Sequence, residues 1–130
     1  EQSEDFIKRQ KQEVQNRAIG ADVIITTAQV RGRKAPVLVE KDTVEKMQWG
    51  SVIIDLAAST GGNCALTKDG ETYVHNGVII IGDSGLARKM PRDASTLFSN
   101  NVMNFLKLMF NKENELAVDL ENEILKSALV

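Results

Sequence analysis

The chain has 130 residues, 42% hydrophobic and 26% charged, a size and composition that suit one globular domain with its own core. Its formal net charge of -2 gives no electrostatic reason to expect nucleic acid or an anionic membrane surface as partner. Cys64 is the only cysteine, which excludes an internal disulfide and suits a reducing compartment, and no apolar run approaches the roughly 20 residues of a membrane span.

The first predicted element is a helix opening after Ser3, with Glu4 and Asp5 in its first turn and Arg17 in its last, as the helix dipole favours. Gly20 is placed as its C-terminal cap. Gln10 falls among charged neighbours and reads, from pattern alone, as surface. Val23 to Thr26 is a short apolar strand running into Thr27 and Ala28. The segment from Gln29 to Pro36 is a loop, and Arg31, Arg33 and Lys34 concentrate positive charge there. Asp42 with Glu45 resembles a capping box for a short helix that ends at Trp49-Gly50, with Trp49 expected to pack.

The organising stretch is Ser51 to Asn63. Val52 to Leu56 reads as a strand buried on both faces, as in a parallel sheet covered by helices. It breaks into Ala57, Ala58, Ser59, Thr60, Gly61 and Gly62 at its carboxyl end. In open α/β sheets ligands sit in the crevice outside those ends, where small residues admit a ligand to the backbone. Ala65 to Thr67 and Thr72 to His75, joined by Lys68-Asp69-Gly70, read as a β-hairpin outside the parallel sheet. His75 has no partner at ligand spacing, so no metal site is expected. Asn76-Gly77 leads into a third buried strand, Val78 to Ile81, which ends in Gly82, Asp83, Ser84 and Gly85. Three strands ending in small or hydroxyl-bearing residues would line one edge.

Asp93 or Ser95 is expected to cap the longest helix, whose stripe of Phe98, Val102, Phe105, Leu106 and Met109 reads as core. The tail beyond it has strand-like pieces. The opening at Glu1 without Met and the stop at Ala128-Leu129-Val130 suggest a piece of a longer protein. No phosphate-binding glycine motif, Ser/His/Asp set or metal cluster is present in the sequence. The residues alone therefore imply an α/β half-domain with a ligand-binding edge.

The wording of several segments goes further. Ala21 to Ala28, Gly32 with Ala35 to Leu38, Gly50 to Ala58 with Gly61-Gly62-Asn63, and Asp93 to Ser95 followed by Asn100-Asn101 resemble one family in order and spacing. It is the NAD(H)-binding domain of the alpha subunit of proton-translocating NAD(P) transhydrogenase, related to alanine dehydrogenase. The resemblance implies a partial Rossmann-type doubly wound parallel sheet with a β-hairpin excursion and a long C-terminal helix. It implies residues 1–92 as the second half of the dinucleotide domain and residues 93–130 as a helix and tail returning to a companion domain. The glycine-rich turn and the ribose-binding acid of the family would lie upstream.

By the same resemblance the cofactor is NAD(H), with NADP(H) on a partner domain and hydride passing between them. Gln10 matches a cofactor-contacting glutamine, against the surface reading. Thr27, Ala28 and Gln29 match the segment approaching the adenosine and ribose, with Gln29 in place of an aliphatic residue. Ala58, Ser59, Gly61 and Gly62 match the loop near the nicotinamide. No residue of this chain is implied as an acid or base. Ser59 stands where alanine dehydrogenases carry a catalytic aspartate, which argues against the rival reading as an amino-acid dehydrogenase. Gly85-Leu86-Ala87 departs from the family's Asn/Asp-aliphatic-Pro. A non-catalytic assembly half-domain is the other rival. The implied partners are a second copy and the NADP(H)-binding and membrane domains. The implied location is the cytoplasmic or matrix-type side of an energy-transducing membrane, held through those partners.

Overall fold

The computed structural model describes residues 3–129, and the chain divides into two compact units on either side of Leu86-Ala87. The first unit opens with helix α1 (Glu4–Ile19), whose Ser3 hydroxyl accepts from the Phe6 amide at 3.3 Å, as an N-cap should. Gly20 is its C-cap, as expected from sequence.

Strands β1 (Val23–Thr26), β2 (Val52–Asp55), β3 (Thr72–His75) and β4 (Val78–Ile81) form one sheet in the order β1-β2-β4-β3. β1, β2 and β4 run parallel, and β3 pairs antiparallel with β4. This is a mixed, mostly parallel Rossmann-like sheet, with β1 and β3 at its edges. Residues Ile24, Ile53, Ile80 and Tyr73 sit side by side in register across all four strands. That row meets Val39, Val44, Met47, Cys64 and Val78 to make the core.

The opposite face is less covered. Val23 and Ile25 on β1 and Val74 on β3 are more than half exposed, at 57%, 62% and 63%. A continuous apolar run signals two covered faces, but the elements of this unit cover only one of them fully. Leu56, placed in the strand by its hydrophobicity, lies just beyond β2.

Two turn assignments change. The hairpin joins β3 to β4 inside the sheet, through Asn76 and Gly77 at φ 48° and 80°. Those left-handed values are what a two-residue hairpin turn of the primed type requires. Ala65 to Thr67 does not pair with β3, because its amides are spent elsewhere: Ala65 donates to Val39 at 2.9 Å and Thr67 to Cys64 at 3.0 Å. The short helix α2 (Lys41–Val44) starts earlier than its supposed capping box, with Glu40 as N-cap and Asp42 inside it. Its start is held from α1 instead. Gln15 Oε1 accepts from the Glu40 amide at 3.1 Å and from the Thr43 hydroxyl at 2.6 Å.

Trp49 is 84% exposed, not packed in the core; its ring lies where a Cβ on Gly77 would stand. His75 lies on β3, partly exposed, with Nε2 3.3 Å from Glu45 Oε1.

Helix α3 (Leu86–Lys89) spans the division between the units. The second unit is built on α4 (Pro91–Lys107). Neither Asp93 nor Ser95 caps it; Met90 is the N-cap and Pro91 takes the first helical position, where its missing N–H costs nothing. None of its residues is buried: of the apolar stripe expected as core, Phe98 is 69% exposed, Phe105 is only partly buried, and Met109 lies past the helix end. In the tail a single antiparallel bridge links Phe110 and Leu116. The last segment is helical: α5 (Glu123–Ala128) is capped by Asn122, whose side-chain carbonyl accepts from the Ile124 and Leu125 amides.

Candidate functional site

The parallel strands bring their carboxyl ends to one edge, and two loops meet there. One is the segment 27–36 after β1; the other is 56–63 after β2, with a one-turn 3-10 helix at Ala58–Thr60. Thr26 stands opposite Asp55 at the last step of the β1–β2 register. Beyond that step the backbone ladder ends, and side chains take over.

Asp55 is the first hub, with its side chain fully buried. Its Oδ1 accepts from the Ala57 amide at 3.0 Å. Its Oδ2 accepts from the amides of Asn63 at 2.6 Å and Cys64 at 3.0 Å and from the Thr67 hydroxyl at 2.6 Å. Burial pushes this carboxyl up, but hydrogen bonds from the Thr67 hydroxyl and from the Cys64 and Ala57 amides outweigh it and hold the pKa below the ordinary aspartate value. Asp55 is thus an ionised anchor that closes the 56–63 loop on itself.

Asn63 is the second hub and is also fully buried. Its Oδ1 accepts from the Ala28 amide at 2.9 Å, while its Nδ2 donates to the carbonyls of Ala28 at 2.9 Å and Pro36 at 2.8 Å. Its backbone carbonyl accepts from Leu38 and Val39. One side chain therefore fixes both ends of the 28–36 loop to the loop after β2. Two more bonds complete the joint: Gln29 Nε2 donates to the Leu56 carbonyl at 3.1 Å, and the Ala35 amide donates to the Thr60 carbonyl at 2.8 Å.

Gly61 and Gly62 both lie at positive φ, 102° and 77°, which side chains other than glycine avoid. A Cβ on Gly62 would stand 2.7 Å from Thr67 Cβ and 2.9 Å from Asp55 Oδ2, so this glycine lets the anchor close.

Seven of the eight residues picked out in the sequence fall within these two joined loops: Thr27, Ala28, Gln29, Ala58, Ser59, Gly61 and Gly62. Thr27, Ser59 and Gly61 are exposed; Ala58 and Gly62 are buried and shape the loop. Ala28 and Gln29 already have polar groups engaged by Asn63 and Leu56. The eighth, Gln10, belongs to neither loop. It lies on α1 and lines a groove of about 670 Å³ with Pro36, Val37 and Leu38.

Asp55 and Asn63 carry the architecture, and pattern reading gave neither a role. The available signal was an aspartate ending an apolar run, with Gly61-Gly62-Asn63 a few residues later. Cys64, at 1% exposure, packs behind the same loop. Burial pushes its thiol up, and the thiolate is the reactive form. A thiol reagent at pH 8 is therefore expected to modify Cys64 on the order of a hundredfold or more slower in the native chain than in urea. Equal rates would show that the loop opens freely.

The exposed chemistry of these two loops is one-sided. Neither 27–36 nor 56–63 contains an acidic residue, while Arg31, Arg33 and Lys34 are all exposed. Open backbone, hydroxyls and uncompensated positive charge fit a phosphate-bearing ligand such as a dinucleotide. Among the described residues no group of acidic, histidine and cysteine side chains could hold a metal ion.

Comparison with known proteins agrees with this reading of the fold. The family described as "Alanine dehydrogenase/PNT, C-terminal domain" matches residues 2–130. The chain is 40% identical over its whole length to a polypeptide of NAD(P) transhydrogenase subunit alpha from Rhodospirillum rubrum, covering 34% of that protein. It is 38% identical to NAD(P) transhydrogenase subunit alpha of Haemophilus influenzae, over 98% of this chain and 25% of that protein. The crystal structure of transhydrogenase from Sinorhizobium meliloti superposes with a TM-score of 0.67 at 35% identity, over 76% of this chain and 30% of that one. The chain thus spans about a third or less of the relatives it matches. An anchored Asp55, a clamping Asn63, the parallel sheet beneath them and these matches lead to one statement: the chain belongs to the alanine dehydrogenase/PNT C-terminal domain family.

Proposed function

We propose that this chain is the second half of the NAD(H)-binding domain of a proton-translocating NAD(P) transhydrogenase. The observation that carries the reading is the 40% identity, spread over the whole chain, to a transhydrogenase alpha subunit polypeptide. The two strand-end loops, 27–36 and 56–63, support it with glycine, hydroxyl and cationic groups and no acidic side chain. Residues 1–92 complete the dinucleotide sheet, and 93–130 return towards a companion domain. Backbone of Thr27, Ala28 and Gln29 meets the adenosine and ribose. Ala58, Ser59, Gly61 and Gly62 border the nicotinamide, and Gln10 supplies a further contact from α1.

When bound, NAD(H) supplies the hydride that passes to NADP+ on a partner domain. This chain contributes position and exclusion of water, with no acid or base of its own. A rigid loop suits that task, because hydride transfer depends on placement to a fraction of an ångström. The assembly is a homodimer attached through partner subunits to the cytoplasmic or matrix-type side of an energy-transducing membrane. No described helix is long and apolar enough to cross a membrane.

A chimaera tests the whole reading. This chain replaces the matched third of the Rhodospirillum rubrum subunit, and NADH-dependent reduction of NADP+ is measured with the remaining subunits present. Retained turnover is expected. A folded, assembled chimaera without turnover would contradict the proposal.

A further inference from the structure

The Arg31–Lys34 tip carries more positive charge than its fold requires. Arg31, Arg33 and Lys34 are exposed, and none of them forms a salt bridge with a described residue. The tip is nonetheless not a loose surface loop. Its base is fixed by the Asn63 bonds to Ala28 and Pro36 and by the Ala35 amide on Thr60.

Lys34 itself is placed. A Cβ built on Gly61 would lie 2.6 Å from Lys34 Cε and 2.8 Å from its Cγ. The lysine stem therefore lies along the bare backbone of Gly61, in space that only glycine leaves free. Its ammonium is carried to within one bond of that contact, beside the strand-end edge. Resting the stem on a fixed surface lowers the entropy lost when the charge engages a ligand. The neighbouring exposed position at the 3-10 helix is Ser59, which offers no carboxylate to neutralise it.

We infer that Lys34, seated on Gly61 and backed by Arg31 and Arg33, forms an anion-binding corner that takes the phosphate-bearing portion of the nucleotide. The inference rests on the proposed NAD(H) reading for its ligand, but the corner can be tested without it. A phosphate oxygen beside an ammonium gains a charge-assisted hydrogen bond. The two arginines add attraction at longer range, which salt weakens.

The direct probe is inorganic pyrophosphate titrated into this chain, followed by the amide NMR signals of Lys34, Gly61 and Gly62. Saturable shifts are expected in the wild type and in Lys34→Arg, and are expected to vanish in Lys34→Gln. No saturable shift, or equal shifts in Lys34→Gln, would overturn the corner. A second measurement titrates NADH into the chimaera. Lys34→Gln should weaken NADH about tenfold, with a shallower salt dependence, and Lys34→Arg should restore most of it. NADH affinity unchanged by Lys34→Gln would overturn the assignment while leaving the NAD(H) reading intact. Pyrophosphate shifts that depend on Lys34 without NADH binding would support the corner and remove the NAD(H) reading instead.

Discussion

Replacing Asp55 by alanine is expected to destabilise the sheet-bearing unit by about 3–5 kcal/mol. The change strands three backbone amides and the Thr67 hydroxyl, all of which this carboxylate satisfies. Each buried donor left without a partner costs about 1–3 kcal/mol. Local relaxation recovers some of that sum, because the loop can open to water. Against a total of roughly 5–15 kcal/mol for a domain, the loss is severe. Urea denaturation followed by circular dichroism measures it directly. Asp55→Asn should cost less than alanine. Its amide oxygen can face the three donors on the Oδ2 side, leaving its NH2 opposed only to the Ala57 amide.

The same residue sets an acid limit. The folded pKa of Asp55 lies below its ordinary value of 3.8, so its contribution is fully present above that value. It is lost as pH falls through the lower folded pKa. The wild-type stability curve should therefore drop below about pH 3.8 more steeply than that of Asp55→Asn, which has no charge to lose there. Parallel curves for the two proteins across that range would show that Asp55 is not the anchor described.

Gly62→Ala is the second large effect, expected at about 2–5 kcal/mol. A left-handed backbone costs an alanine about 1–2 kcal/mol. Overpacking against Thr67 and the Asp55 carboxylate adds about 1–3 kcal/mol, since both neighbours are held by their mutual hydrogen bond. Gly61→Ala has the same backbone penalty, but its Cβ meets only the stem of Lys34, an exposed side chain that is displaced into solvent at the loss of its seat rather than of a buried bond. It should cost less than Gly62→Ala in the same denaturation assay. Equal costs would mean that backbone strain alone, and not the closed anchor, explains the glycine pair.

The parallel strands were legible because burial writes itself as apolar runs: Val23 to Thr26 and Val78 to Ile81 stand where the sequence placed them, and β2 stops at Asp55, one residue short of the expected Leu56. Local capping was partly legible. Ser3 caps through its own side chain three residues away, so its signal is local. The start of α2 is held by Gln15, 25 residues distant from Glu40, and no local pattern reports that. The hairpin was misplaced because two turn signals competed. Asp69-Gly70 bends the chain, but Asn76-Gly77 has two strands with free amides on either side and wins the pairing.

The site shows the same limit more sharply. Small residues at strand ends marked the edge correctly as a place where loops converge. The bonds that fix those loops join residues 28, 36, 55, 63 and 67. Such long-range pairs leave no periodicity, so the sequence shows Asp55 only as an aspartate near a strand end and Asn63 only as the close of a small-residue stretch. The apolar stripe on α4 was legible as a surface that wants covering. What covers it lies beyond the pattern of one helix.

The most direct measurement is calorimetric titration of NADH, with NADPH as control, into the chimaera in wild-type form and with Asn63→Ala. The account predicts saturable NADH binding and no comparable NADPH binding. Releasing the 28–36 loop should weaken the NADH isotherm at least about tenfold, since preorganisation is lost along with the clamp. No NADH binding by the folded wild type, or binding indifferent to Asn63, would contradict a dinucleotide site built on these two hubs.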